Sequence, residues 1–152
     1  MAKAAVQRKL ADARALLPPA LSAPAPPGVR ALRAAQGHKA LAFARAEIGK
    51  PYVWGAAGPG SYDSSGLSQA AWKAAGVALP RGTREQSGAG TPVPLTDALP
   101  GDLVFFRGGT GQVGVYAGDG IMIHAPRPGA RVRAEPVLRA GAPAIHRVVR
   151  PA

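Results

Sequence analysis

The sequence predicts an α+β fold in which helices in the first half of the chain pack on a small antiparallel sheet formed by the second half. Two segments, 38–49 and 64–76, carry apolar residues at intervals of three and four, as helices do. After Pro80 the pattern changes to short apolar runs separated by Gly-rich turns, which is typical of strands and hairpins. The 152 residues, 47% of them hydrophobic, suffice for one domain with a core.

The N-terminal region, residues 1–34, is predicted to be a short helix followed by a linker. Apolar residues at helical spacing indicate a helix over 4–17, and Pro18 and Pro19 end it. The proline-rich stretch that follows has no core of its own. We therefore expect the folded domain to occupy residues 35–152.

The first element of the domain is the helix predicted at 38–49, which closes on Gly49 as a glycine C-cap. A Gly/Pro-rich loop, "KPYVWGAAGPG", then carries Tyr52 and Trp54. The second helix begins near Ser64 and turns one apolar stripe toward the core. Four strands are predicted after it, at 102–106, 112–117, 120–125 and 144–149.

Composition excludes some functions and leaves others open. Nineteen Lys and Arg against eight Asp and Glu give a net charge of +11, which favours nucleic acid, anionic lipid or an acidic cell-wall polymer as surroundings. No cysteine is present, so a disulfide framework and a cysteine zinc site are excluded. No apolar run reaches the ~20 residues of a membrane span. Residues 15–25 resemble a signal peptide poorly, because two prolines interrupt them.

The stretch "DSSGL", which opens the second helix with Asp63, Ser64 and Ser65, is the first candidate for chemistry. Unpaired N–H groups and the helix dipole favour negative charge there, which suits a nucleophile and an oxyanion hole. The alternative is that the two hydroxyls cap the helix. Gln112 opens one predicted strand and His124 ends the next, and the fold can bring both toward this helix end.

Four stretches occur in the order and spacing of a known family. They are "GKPYVWGAAGPGSYDSSGLSQAAWKAAGVALPR", "LPGDLVFF", "QVGVYAGDGIMIHAP" and "VVRP". Together they resemble the NlpC-type cell-wall peptidases, papain-like cysteine enzymes that cut peptidoglycan stem peptides, over residues 38–152. The resemblance implies a papain-like fold, a monomer in the cell envelope or secreted, peptidoglycan stem peptides or another anionic wall polymer as partner, and no cofactor or metal ion.

The family motif has Asp-Cys-Ser-Gly-Leu at the helix start, His-Val-Gly at the head of a strand, and a third polar residue, commonly His, on the next strand. By this resemblance Ser64 occupies the nucleophile position, Gln112 the general-base position and His124 the orienting position. Cysteine and histidine are thus replaced at the first two positions. A serine needs a base to become nucleophilic, and a glutamine amide cannot accept the proton.

On the substrate side, the resemblance implies that Tyr52, Asp63 and Ser65 line the cleft and contact the amine and backbone of the substrate. An anionic Asp63 suits an ammonium group. Trp54 is expected to pack on the core. Read alone, a histidine on an apolar strand such as His124 is more often a satisfied core residue than a catalytic one.

Three hypotheses follow. The first is a domain that has lost its catalytic activity, or most of it, and binds peptidoglycan. The alternative is an active peptidase or amidase in which His124 serves as base for Ser64. The third, a basic nucleic-acid-binding protein, explains the charge but none of the motifs, and it ranks last.

Overall fold

The computed structural model describes residues 26–107, 112–139 and 144–151. The helix predicted at 4–17 and most of the proline-rich linker lie outside the described residues. Contacts divide the chain into two units, Met1–Arg30 and Ala31–Ala152, and the second contains the sheet and the candidate site. The boundary expected at residue 35 stays a prediction.

Three α-helices lie in the described ranges: α1 (Pro27–Ala46), α2 (Ser64–Ala74) and the short α3 (Thr83–Ser87). The helical periodicity predicts α1 only from residue 38, but the helix starts at Pro27, since proline is tolerated in a first turn. Beyond the end of α1, Gly49 adopts a left-handed conformation with φ of 98°. Past α2, Gly76 does the same with φ of 88°.

Six strands in the described part of the chain form one sheet in the order β1-β6-β2-β3-β4-β5. They are β1 (Thr91–Val93), β2 (Leu103–Phe106), β3 (Val113–Gly118), β4 (Ile121–His124), β5 (Arg133–Pro136) and β6 (Ile145–Arg150). All paired neighbours are antiparallel. The predicted α+β fold is confirmed.

The core lies on both faces of this sheet. On one face, Leu67 and Trp72 of α2 pack with a cluster that includes Val113 and Ile123. The indole N–H of Trp72 also donates to the carbonyl of Gly101 at 3.0 Å. The opposite face carries a second cluster that is built from these residues: Val104, Phe106, Tyr116, Met122, Val137 and Val148.

Side chains alternate along a strand, so His124 lies on the same face as Met122, opposite to the face that Ile123 shares with α2. In the residues that the structure describes, no helix is both long and apolar enough to cross a bilayer.

Candidate active site

The N-terminus of α2 is fixed by Asp63, its N-cap residue. The Asp63 carboxylate accepts a hydrogen bond from the backbone N–H of Gly66 at 2.7 Å, and the backbone of Asp63 is extended. The preceding loop packs tightly here, because a Cβ on Gly66 would lie 2.1 Å from the carbonyl oxygen of Ala56. "DSSGL" therefore needs its glycine for close approach, and the helix start is rigidly placed.

Ser64, the first residue of α2, is 7% exposed. Its hydroxyl donates to the carbonyl of Val113 at 2.9 Å and accepts from the N–H of Val113 at 2.7 Å. The neighbouring carbonyl of Gln112 accepts from the N–H of Phe106, on the β2 side of β3. Successive residues of a strand present their backbone groups to opposite sides, so Val113 presents its own toward β4.

β4 ends at His124, and Ile123 is already the partner of Val115. Val113 therefore lies beyond the end of this strand pairing. The Ser64 hydroxyl supplies both hydrogen bonds that a longer β4 would have made. Its only hydrogen is used on a carbonyl, and its backbone partner is not a base.

Gln112 lies partly buried immediately before β3. Its side-chain amide donates to the carbonyl of Pro126 at 3.2 Å and ties the start of β3 to the loop after β4. A carboxamide has no basic lone pair on nitrogen, and its oxygen is a very weak base. At the predicted general-base position the structure therefore holds a hydrogen-bonding group with no capacity for proton abstraction.

His124 is 1% exposed, and its Nε2 lies 3.0 Å from the Glu135 carboxylate on β5. Burial lowers the pKa of His124, and it outweighs the opposing effect of Glu135. Burial acts to raise the pKa of Glu135, but His124, Arg133 and Arg139 together lower it. The ionised carboxylate can only accept, so Nε2 of the neutral imidazole is the donor. The hydrogen bond of His124 is thus made with β5, whereas that of Ser64 is made with β3.

A pocket of about 250 Å³ lies beside the start of α2. It is lined by Tyr52, Trp54, Ser64, Gln112, Pro126, Arg127 and Pro128. The structure therefore brings Tyr52, Ser64 and Gln112 together, as the sequence predicts. His124, Asp63 and Ser65 lie outside this lining.

Arg81 engages the two predicted substrate contacts that lie outside the pocket. Its guanidinium is 2.8 Å from the Asp63 carboxylate and donates to the Ser65 hydroxyl at 2.8 Å. Asp63 also accepts from the N–H of Gly55 at 3.0 Å. Burial, followed by the charge of Asp63, raises the pKa of Tyr52, so its phenol remains protonated as a donor. An arginine partner for Asp63 is a feature that sequence reasoning missed.

Gln86 of α3 is a second residue that sequence reasoning missed. It is fully buried, and its amide donates to the carbonyls of Ser65 at 3.0 Å and of Pro80 at 2.9 Å. The Ser68 hydroxyl donates to its oxygen at 2.5 Å. Arg81 and Gln86 thus both hydrogen-bond to the start of α2 and hold its first turn in place.

Trp54 corrects one prediction. The sequence predicts that it packs on the core, but its side chain is 79% exposed. The turn that carries it is closed by a hydrogen bond from the N–H of Ala56 to the carbonyl of Val53 at 3.0 Å, and Trp54 is part of the pocket lining. Its position in a Gly/Pro-rich loop was the one sequence signal for exposure.

Comparison with known proteins identifies one family and a set of relatives. Residues 49–146 match the NlpC/P60 family. A protein from Corynebacterium glutamicum (strain R) named a probable endopeptidase is 42% identical over 105 residues, which are 69% of this chain and 50% of that protein. A probable endopeptidase from Mycobacterium tuberculosis (strain ATCC 25618 / H37Rv) is 41% identical over 95 residues, 62% of this chain and 25% of that protein.

Among solved structures, the peptidoglycan hydrolase RipB from Mycobacterium tuberculosis matches with a TM-score of 0.70 and 30% identity, over 87% of this chain and 74% of that one. The NlpC/p60 domain of the peptidoglycan hydrolase SagA matches with a TM-score of 0.67 and 34% identity, over 74% of this chain and 97% of that one. This chain spans between a quarter and a half of the length of the two curated relatives. It belongs to the NlpC/P60 family, and its domain is similar to those of endopeptidases and peptidoglycan hydrolases.

Proposed function

We propose that this domain binds peptidoglycan stem peptides in the pocket beside Ser64 and does not hydrolyse them. One observation carries the proposal: the Ser64 hydroxyl makes both of its hydrogen bonds with the backbone of Val113, and the adjacent side chain is the amide of Gln112. A serine hydroxyl is almost entirely protonated at neutral pH and needs a positioned base. Loss of nucleophile or base from such a unit costs several orders of magnitude in rate.

The competing proposal, a hydrolase in which His124 activates Ser64, has less support. His124 is buried on β4, and its Nε2 bonds Glu135. To act as base, the imidazole would have to reach a hydroxyl that is itself held by Val113. With Nε2–H on Glu135, the basic nitrogen is Nδ1, but the side chain projects from the sheet face opposite to the one that packs on α2. The Ser64 hydroxyl would also have to leave the carbonyl of Val113 before its proton could move.

Peptidoglycan as the ligand class is supported by the relatives. Two of the solved structures that this domain resembles are described as peptidoglycan hydrolases. The pocket supplies the protonated phenol of Tyr52 as a hydrogen-bond donor and an exposed indole from Trp54. A cell-envelope or extracellular location is part of the same proposal, because the polymer lies there.

We also propose that Asp63 and Ser65 contact the substrate's amine once Arg81 has moved away from them. Arg81 already binds both side chains, so an ammonium group reaches Asp63 only when the guanidinium moves aside. The Arg81 side chain is 40% exposed, which leaves it room to move.

The experiment is incubation of the protein with purified muropeptides. We expect saturable binding by isothermal titration calorimetry, and no new product by mass spectrometry. Cleavage that disappears in Ser64→Ala would overturn the proposal in favour of the hydrolase. Failure to bind soluble muropeptides and purified cell wall alike would overturn the choice of ligand.

A further inference from the structure

We propose that Arg127 determines the ligand specificity of the pocket by pairing with a carboxylate of the bound peptide. Other groups of the same peptide cover the indole of Trp54. The inference deepens the proposed function and rests on it. It concerns which chemical form of a stem peptide the domain selects, a property that neither the family nor the relatives' names specify.

Arg127 is displayed from a rigid turn at the rim of the pocket. Pro126 and Pro128 flank it and restrict the backbone, and Gly129 follows in a left-handed conformation with φ of 84°. The turn is closed by a hydrogen bond from the N–H of Ala130 to the carbonyl of Arg127 at 3.1 Å. Since the backbone is held, only side-chain order is lost when the exposed guanidinium engages a ligand.

The Arg127 guanidinium has no hydrogen bond or ion pair with any residue in the described ranges, whereas two nearby arginines are engaged. Arg131 donates to the carbonyl of Gly49 at 2.8 Å, and Arg133 forms an ion pair with Glu135. Within the described residues, no carboxylate lines the pocket. The pocket therefore presents a cation without a counter-ion.

A guanidinium matches a carboxylate with two parallel N–H donors, which makes the carboxylate the most specific ligand for such a group. The chain's charge of +11 adds a general attraction for anionic ligands.

Trp54 supplies the second half of the recognition. Its side chain is 79% exposed and lines the same pocket as Arg127. A tryptophan contributes a large apolar area when it is covered, and it is enriched at binding surfaces. The pocket thus fits a peptide segment that combines a free carboxylate with backbone or aliphatic groups able to cover an indole. Stem peptides carry free carboxylates, and conversion to carboxamides removes their charge without changing their shape.

The experiment compares a synthetic peptidoglycan stem tetrapeptide with free carboxylates and the same peptide with its carboxylates as carboxamides. Binding is measured by calorimetry at low and moderate salt. We expect the unmodified protein to prefer the free-carboxylate form by about fivefold, with the preference shrinking as salt rises. Arg127→Gln should bind both forms equally, at the level of the carboxamide, and Arg127→Lys should keep part of the preference.

Arg84→Gln is the matched control, because it removes one positive charge from an exposed position on α3 outside the pocket lining. It should retain the full preference. Equal binding of the two peptides by the unmodified protein, or an undiminished preference in Arg127→Gln, would overturn the inference and leave the proposed function standing. No binding of either peptide would overturn the proposed function, and the inference with it.

Discussion

The Ser64 hydroxyl takes the place of a strand neighbour for Val113 at the end of β4. Without it, a buried N–H and a buried C=O lose their partner, and each such group costs about 1–3 kcal/mol when left unsatisfied. We expect Ser64→Ala to lower the free energy of unfolding by about 1–3 kcal/mol in urea denaturation, because water can reach part of the vacated site from the pocket.

The control is Ser87→Ala. The Ser87 hydroxyl bonds the carbonyl of Arg84 in the exposed last turn of α3, so its loss should change stability by less than about 0.5 kcal/mol. If Ser64→Ala were as stable as the unmodified protein, the hydroxyl would have no structural role and would be available for chemistry.

His124 should make stability depend on pH. Burial holds the pKa of His124 below its ordinary value of 6.5, so the unfolded state binds a proton more readily than the folded state. The contribution is present above the unfolded pKa and is lost as pH falls below it. Glu135, whose pKa is also lowered, acts in the same direction below its ordinary value of 4.5.

We therefore expect the free energy of unfolding to decrease between pH 7.5 and pH 5.5, measured by urea denaturation at each pH. His124→Gln should flatten this dependence, and His146→Gln should not, because His146 is exposed. The charged groups around the imidazole are Glu135, Arg133 and Arg139. A slope that persists unchanged in His124→Gln would show that another group titrates.

Among the elements, α1 and the loop before β2 meet at a pair of glycines. A Cβ on Gly37 would lie 2.4 Å from the carbonyl oxygen of Pro100, and a Cβ on Gly101 would lie 2.4 Å from the carbonyl oxygen of Gly37. Gly→Ala normally stabilises a helix interior by up to about 1 kcal/mol. Here we expect Gly37→Ala to destabilise by about 1–3 kcal/mol through overpacking, measured by thermal or chemical denaturation.

Gly28 in the same helix provides the comparison, since a Cβ there meets nothing within 4 Å. Gly28→Ala should leave stability unchanged or raise it. Equal effects of the two substitutions would mean that α1 does not pack against this loop as closely as the backbone contacts indicate.

The elements that could be predicted are those in which the apolar residues of the sequence follow a clear pattern. Strands β2, β3 and β4 are mostly apolar, β6 contains the apolar pair Val148 and Val149, and all four lie within one residue of the predicted ranges. Strand β5, "RAEP", has no such pattern, and its pairing with β4 accompanies contacts of Glu135 with His124 and two arginines. Strand β1 contains Pro92 and is tolerated as a strand only because it lies at the sheet edge.

In the candidate site, too, some residues could be predicted from the sequence and others could not. Tyr52, Ser64 and Gln112 could be assigned because they occupy fixed places in a motif, and the structure brings them to one pocket. Arg81 and Arg127 could not, since an arginine's partner, or its lack of one, depends on which loops the fold brings together. The residues next to them in the sequence do not distinguish them from the other arginines of this Arg-rich chain.

At the scale of the whole molecule, the fold and the proposed loss of chemistry are separate properties. The NlpC/P60 fold, the pocket and the rigid start of α2 are in place around Ser64 and Gln112, and we propose that these two side chains alone account for the absence of hydrolysis. If this proposal is correct, the substitutions Ser64→Cys and Gln112→His together should be enough to create activity. A thiol at a helix N-terminus has a lowered pKa, and an imidazole at position 112 supplies the base.

The most direct test is therefore muropeptide cleavage by the double variant Ser64→Cys with Gln112→His, followed by mass spectrometry beside the unmodified protein and each single variant. We expect cleavage by the double variant, none by the unmodified protein, and at most traces from either single change. Cleavage by the unmodified protein at a rate comparable with that of the double variant would contradict the proposal.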